Sequence, residues 1–319
     1  MANTPTIFAG IDLGSNSFRL LIAATDQGRI TPVYKGLDIV RLGQRLTKTG
    51  SLETAAMVRA FKVLTTYREL LSKHIPQGVR ACGTAALRQA DNRDFFLKQA
   101  SAILGTEVQV INGDEEAILA LCGALNQLPD LADSPILLVD TGCGSTELIY
   151  KNDRNLVHSI ASLPLGAINL TETFLKNSLP LPAEIAAMET HIISLLAPWL
   201  NKLDLANRLP LIIATGGTAT ALATLASNLS SYNAALIQGY DLTISDLKNT
   251  MSMLQNLDPA ARNKLPGLDC GRGEIILGGA AILHTILKLC KAKSLTVSDA
   301  GLLEGILLSA AQASQGGIP

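Results

Sequence analysis

Residues 139–149 read VDTGCGSTELI. Asp140 closes an apolar run, a turn of mostly small residues follows, and Glu147 begins a second strand-like stretch. The first half of the chain carries the same design: residues 11–20 read IDLGSNSFRL where residues 139–148 read VDTGCGSTEL. With Asp12 aligned on Asp140, both copies fit D-x-G-x-x-S-x-[R/E]-L, with apolar strands on each side. Each copy reads as a strand ending in Asp, a Gly/Ser turn and a returning strand. The repeat points to a structural duplication.

Such turns have a chemistry of their own. Glycine tolerates positive φ and leaves room for another group to approach the backbone. Successive exposed N–H groups then form a concave nest suited to an anion, above all a phosphate. Gly14, Ser15, Asn16 and Ser17 make one such turn, and Gly142, Cys143, Gly144, Ser145 and Thr146 make the other. The plain alternative for either one is an ordinary hairpin turn. A third loop, in LIIATGGTATALATLAS, puts Gly216, Gly217 and Thr218 between an apolar strand and a helix. The unpartnered N–H groups and the dipole at a helix N-terminus favour negative charge there. No Gly-Lys-Ser/Thr follows, so this is not a Walker loop.

Phosphates held by amides carry Mg²⁺ or Mn²⁺ well, and such ions take a few carboxylates with water and phosphate oxygens. Asp140 and Glu147 flank one nest, and Asp12 occupies the equivalent place in the other, so these three acids are the metal candidates. The alternative is that Asp140 caps its turn and Glu147 is a solvated strand residue. A further stretch, VINGDEEAILALCGAL, leads a strand into a helix whose first turn holds Asp114, Glu115 and Glu116. Acids there are stabilised by the helix dipole. Three are more than a cap requires, and one could take a proton from water as a general base. Adjacent helical residues lie about 100° apart, so one of Glu115 and Glu116 is expected to face the site.

The chain has 319 residues, 48% of them hydrophobic, with a net charge of −1. This length suggests about two domains and a composition of the soluble globular kind. A near-neutral balance gives no reason to expect nucleic acid as a partner. The opening MANTPTIFAGIDLG shows no basic stretch followed by an apolar one, so a secretory signal is not expected. No apolar run is long enough to span a bilayer. The nearest, EIILGGAAILHTILKLC, carries Glu274, His284 and Lys288. Cys82, Cys122, Cys143, Cys270 and Cys290 are scattered without CxxC spacing. They read as reduced thiols of a cytoplasmic protein, supporting neither a disulfide framework nor a zinc site.

Short β-rich runs at the N-terminus suggest an antiparallel meander, followed by a helix over SLETAAMVRAFKVLTTYRELLSKHI and a strand GVRACGT. Helical spacing recurs near residues 93–102, 114–125, 183–200, 242–255, 274–290 and 300–313, and directly after LPLIIATGG. Pro and Asp cluster in LNQLPDLADSP and mark the boundary. The expected division is 1–126, with the last helix (about 300–313) packing back on it, and 127–299. The mix of hairpins, strands and helices argues for α/β layers.

With these residues in view, the sequence resembles the exopolyphosphatase/guanosine pentaphosphate phosphohydrolase (Ppx/GppA) family of the actin-like ATPase superfamily. The likeness runs in order through GIDLGSNSFRLLIA, RACGTAALRQADN, INGDEEAILALCGAL, VDTGCGSTELI, SLPLGAINLTETFL, ATGGTATALA, EIILGGAAIL and VSDAGLLEGIL. It implies two ribonuclease-H-like domains with an active-site cleft between them. It also implies hydrolysis of a terminal phosphoanhydride in polyphosphate or guanosine pentaphosphate. By the same likeness Glu116 is the base, Asp140 and Glu147 attend the metal, and Asp12 matches the first phosphate block. Arg19 and Arg88 match arginines directed to substrate phosphates. On the residues alone, either Arg reads as a surface salt bridge.

The family pattern has Gly where this chain has Cys143, and a Cβ accepts positive φ less readily. Cys143 is therefore expected to distort the nest or to turn its thiol toward the ligand. The late block reads GRGEII where RAD-I is commoner, which leaves the roles of Arg272 and Glu274 open. The chain resembles the short form of the family, in which the helical domains of long members are not expected, and the resemblance leaves a homodimer open. Two other readings stand beside the hydrolase. One is a non-catalytic sensor of guanosine tetraphosphate or polyphosphate. The other is an actin-like sugar kinase, although no sugar-binding residues are apparent.

Overall fold

The structure, a computed structural model, describes residues 6–26, 28–152, 156–203, 209–268 and 271–314. Cys270 lies outside the described residues, and Cys82, Cys122, Cys143 and Cys290 are in no disulfide among the described residues. The chain forms two compact units, Met1–Asn126 with Gly301–Pro319, and Gln127–Ala300.

The first unit is built on a five-stranded sheet: β1 (Thr6–Leu13), β2 (Ser17–Asp26), β3 (Arg29–Ile39), β4 (Gly78–Gly83) and β5 (Val108–Val110). Its spatial order is β3-β2-β1-β4-β5. The first three strands are antiparallel, whereas β4 runs parallel to β1 and β5 parallel to β4. Central β1 is buried along most of its length, which explains its unbroken apolar run; β3, at the edge, is largely exposed. The helix Thr54–His74 buries Ala56, Met57, Ala60, Leu64, Tyr67 and Leu71, a stripe at spacings of three and four residues. That stripe packs on Ile11, Leu13, Phe18, Leu20 and Ile22. Tyr67 donates to Asp38 at 3.0 Å, and burial beside that carboxylate pushes its hydroxyl pKa upward. Leu64→Ala is expected to lower stability by about 2–5 kcal/mol through the cavity it leaves. A denaturant titration would show this as a lower midpoint with an unchanged slope.

The final helix, Leu302–Ser314, belongs to the first unit and covers the other face of the sheet. Its Leu303, Leu307 and Ala311 pack with Phe8, Leu21, Ala23 and Ile30. It starts at Leu302 rather than at 300, because the buried Glu304 accepts the Gly301 N–H at 2.9 Å and closes the entry.

The second unit repeats the plan with β6 (Ile136–Thr141), β7 (Thr146–Lys151), β8 (Val157–Leu163), β9 (Leu211–Thr215), β10 (Asp241–Thr243) and β11 (Ser294–Ser298). Read from the β8 edge, the order is β8-β7-β6-β9-β11-β10. Strands β6, β9 and β11 are parallel, as β1, β4 and β5 are, and β10 is an added antiparallel edge. The duplication seen in two short motifs therefore extends to the order of whole sheets. The helix expected over 242–255 begins at Ile244, since Leu242 and Thr243 pair with β11. Thr243 and Asp246 form a capping box there: Thr243 Oγ1 accepts the Asp246 N–H at 3.0 Å, and Asp246 Oδ2 accepts the Thr243 N–H at 3.0 Å. The helix Ile276–Cys290 is buried nearly all round against Met188, Ile192, Leu247 and Met251. This is why its sequence is apolar on every side. No helix among the described residues is long and apolar enough to cross a membrane.

Candidate functional site

In the first unit, the carboxyl ends of β1, β4 and β5 bring the candidate residues together. Asp12 and Arg19 stand directly opposite each other across the β1–β2 hairpin. Arg19 donates from Nε (2.8 Å) and Nη2 (2.6 Å), both to Asp12 Oδ2. Asp12 is buried, and its Oδ1 has no hydrogen-bond partner among the described groups. In the turn, the Gly14 N–H donates to the Ser17 carbonyl at 3.1 Å. A Cβ on Gly14 would stand 2.9 Å from that oxygen. The Ser15 carbonyl accepts the Gly43 N–H, and the Asn16 carbonyl accepts those of Val40 and Arg41. In a trans peptide the N–H of the next residue points the opposite way. The Asn16 amide is therefore turned away from residues 40–43.

Arg88 lies on a short helix, Ala85–Gln89, directly after β4. Its Nη1 donates to Glu116 Oε2 at 2.5 Å and to the Ile111 carbonyl at 3.1 Å. Glu116 is buried in the first turn of the helix Gly113–Gln127. The two neighbouring glutamates separate as helical geometry requires. Glu115 pairs with Arg80 at 2.5 Å, and Arg80 also reaches Gln109 and Ser309. Asp114 is exposed. Cys82, beside Asp12 in the sheet, is no nucleophile, because burial pushes its thiol up to about 12.

In the second unit, Asp140 and Glu147 are also direct partners across a hairpin, β6–β7, so both carboxylates stand on one face. Both are buried, and Glu147 accepts from Ser162 at 2.8 Å. The turn copies the first one: the Gly142 N–H donates to the Ser145 carbonyl at 2.9 Å. The carbonyls of Gly142 and Cys143 accept the N–H groups of Ala167 and Ile168, and that of Gly144 accepts from Asn169. With three successive carbonyls drawn toward the helix Ala167–Phe174, the amides of Cys143, Gly144 and Ser145 face the opposite side.

Two expectations about this turn need correction. Gly14, Gly142 and Gly144 do not use positive φ; the glycines at 14 and 142 make room for the carbonyl three residues on. Cys143 has no positive φ either, so its Cβ imposes no backbone strain on the turn. The hydroxyl of fully buried Thr146 donates to the Leu165 carbonyl at 2.5 Å, which commits that side chain to the fold.

The third loop does need positive φ. Gly216 has φ +86, and a Cβ there would stand 2.5 Å from Asp140 Oδ1. The helix Gly216–Ala226 starts without a side-chain cap from Thr215, whose hydroxyl donates instead to Ala300. Its first amides therefore have no acceptor within the helix. Thr218 is buried, and its methyl lies where a Cβ on Gly279 would go. Motif reading left Arg272 without a role. Its guanidinium lies against Gly217, whereas Glu274 is exposed. Arg272 and Ser162 come from distant stretches, and spacing gave no signal for either one.

Among the described residues no three acid, His or Cys side chains gather as a metal cage. The donor set still fits a hard cation. Mg²⁺ is usually bound by one or two carboxylates with water and phosphate oxygens, and the Asp140–Glu147 pair supplies two. In the first unit, taken by itself, Asp12 has a buried oxygen without a donor.

Two sheets of one order, each with an Asp-led hairpin and amides turned outward at its carboxyl end, define a mixed α/β protein built on a duplicated, ribonuclease-H-like plan. Residues 21–314 match the model of the Ppx/GppA phosphatase family. Exopolyphosphatase 2 of Mycobacterium tuberculosis is 34% identical over 96% of this chain and 99% of its own length. The guanosine-5'-triphosphate,3'-diphosphate pyrophosphatase of Vibrio parahaemolyticus is 30% identical over 96% of this chain, which spans 59% of that longer protein. The crystal structure of the Aquifex aeolicus Ppx/GppA family member superposes with a TM-score of 0.82 at 29% identity, covering 97% of this chain and 99% of that one. The chain belongs to the Ppx/GppA phosphatase family and is a hydrolase.

Proposed function

We propose that the chain releases the terminal phosphate of inorganic polyphosphate, of guanosine pentaphosphate, or of both. The observation that carries this reading is buried Glu116 held in a helix's first turn against Arg88. It joins a proton acceptor to a guanidinium whose fork suits phosphate oxygens. The names of the mycobacterial and Vibrio relatives support the two substrate classes.

In this reading Glu116 orients a water and accepts its proton as the water oxygen bonds to the terminal phosphorus. The shortened chain leaves on its bridging oxygen. Non-bridging oxygens are held by the amides of Cys143, Gly144 and Ser145 and by those at the start of the helix Gly216–Ala226. Arg19 and Arg88 add positive charge. A Mg²⁺ or Mn²⁺ ion at Asp140 and Glu147 would neutralise phosphoryl charge. Positioning and electrostatics of this kind dominate phosphoryl transfer.

The test is phosphate release from polyphosphate, guanosine pentaphosphate and ATP. Release from either of the first two without a sugar acceptor is expected. A chelator should abolish it, and Mg²⁺ or Mn²⁺ should restore it. Tight binding without release would make the chain a sensor instead, and a requirement for a sugar acceptor would make it a kinase.

A further inference from the structure

We propose that Asn263 is a positioning residue that holds Arg272 over the bend at residues 216–218. Its side-chain oxygen accepts two backbone N–H groups, from Gly271 at 3.1 Å and from Gly273 at 2.9 Å. These flank Arg272 on both sides. The Arg272 carbonyl in turn accepts the N–H groups of Ile275 (3.0 Å) and Ile276 (2.9 Å) at the start of the helix Ile276–Cys290. With three consecutive residues tied by their main chain, the direction in which the Arg272 side chain leaves the backbone is set. Its guanidinium meets Gly217: Nη2 and Cζ lie 2.6 and 2.8 Å from where a Cβ would stand.

That place is electrostatically unfavourable for a cation. The N-terminus of the helix Gly216–Ala226 carries the positive end of the helix dipole, which disfavours a guanidinium. An anion seated between the guanidinium and the helix amides would relieve the conflict, and the main chain of Arg272 has to be held for its side chain to reach that place. Asn263 supplies the hold. It has its own anchor, because its N–H donates to Pro259 at 3.0 Å. The preceding Arg262, 2% exposed, donates from Nε to the Leu254 carbonyl at 2.8 Å. A buried arginine thus fixes the turn that fixes Asn263, and Asn263 fixes the approach of Arg272 to the phosphate bend.

The inference rests on the hydrolase reading for its activity assay, and a double-mutant cycle tests it. Asn263→Ala is expected to lower kcat/KM about 10- to 100-fold, the scale of a misplaced positioning group. In an Arg272→Ala background the same change should cost no more than about twofold, because coupled residues are non-additive. Gly273→Ala, whose methyl would stand 2.7 Å from Asn263 Oδ1, should behave like Asn263→Ala. Parental kcat/KM in Asn263→Ala, or an equal loss with and without Arg272, would overturn the inference. If the parent chain releases no phosphate, it is the hydrolase reading that fails. The same cycle, read as affinity for inorganic tripolyphosphate, then decides the role of Asn263 by the same non-additivity.

Discussion

Glu116→Gln should retain substrate affinity and lose turnover by about 10²–10⁴-fold, the range of general-base assistance. Gln has the same shape, and its amide oxygen can still accept the 2.5 Å bond from Arg88. The guanidinium therefore keeps its place beside the Ile111 carbonyl. What disappears is a carboxylate able to take a proton from water. Neighbouring acids are not placed to stand in, since the helix turns Glu115 toward Arg80, away from Arg88, and leaves Asp114 exposed. Removing a negative charge near a polyanion should leave binding equal or slightly tighter, so the loss belongs in kcat. Steady-state phosphate release gives kcat and KM, and titration calorimetry gives the affinity. A variant that hydrolyses at the parental rate would remove Glu116 from the role of base.

The duplicated hairpin could be read from the sequence because everything that makes it is local. Apolar strands, an acid at the strand end and a small-residue turn all lie within ten residues, and register then follows from the turn. Asp12 faces Arg19, and Asp140 faces Glu147, because each pair is equidistant from its turn. Backbone detail was harder to read. Gly142 looked like a positive-φ residue and is instead one where a Cβ would sit tightly, 3.2 Å from the Ser145 carbonyl, and Cys143 was suspected of a strain it does not have. Side-chain direction was harder still. The hydroxyl of Thr146 is spent on Leu165, and Thr218 turns its methyl to Gly279, facts set by helices far along the chain. The short helix Ala85–Gln89 that carries Arg88 has too few residues for any period to show. Arg272 meets the bend through tertiary packing alone, and no spacing rule reaches across the segments involved.

Gly216→Ala is expected to cut kcat/KM by at least about a hundredfold while the chain remains folded. Two costs act together. At φ +86 an alanine adopts a backbone conformation that L-residues disfavour by about 1–2 kcal/mol. Its methyl would also stand 2.5 Å from Asp140 Oδ1 and 3.8 Å from the Thr141 carbonyl. The closer oxygen belongs to a buried carboxylate opposite Glu147, so the carboxylate must rotate or the bend must open. Either movement separates the acids from the helix amides, and a displacement of about 1 Å in a positioning group can cost about 10²-fold. The steric part of the argument has its own readout in stability. Asp140→Ala removes the oxygen that the new methyl meets. In that background Gly216→Ala should lower the unfolding midpoint less than it does in the parent chain, leaving mainly the backbone term. Thermal unfolding of the parent, both single variants and the double variant measures the difference. Equal destabilisation in the two backgrounds would mean that the bend and the carboxylate are not in contact, and the link between amides and metal-side acids would have to be abandoned.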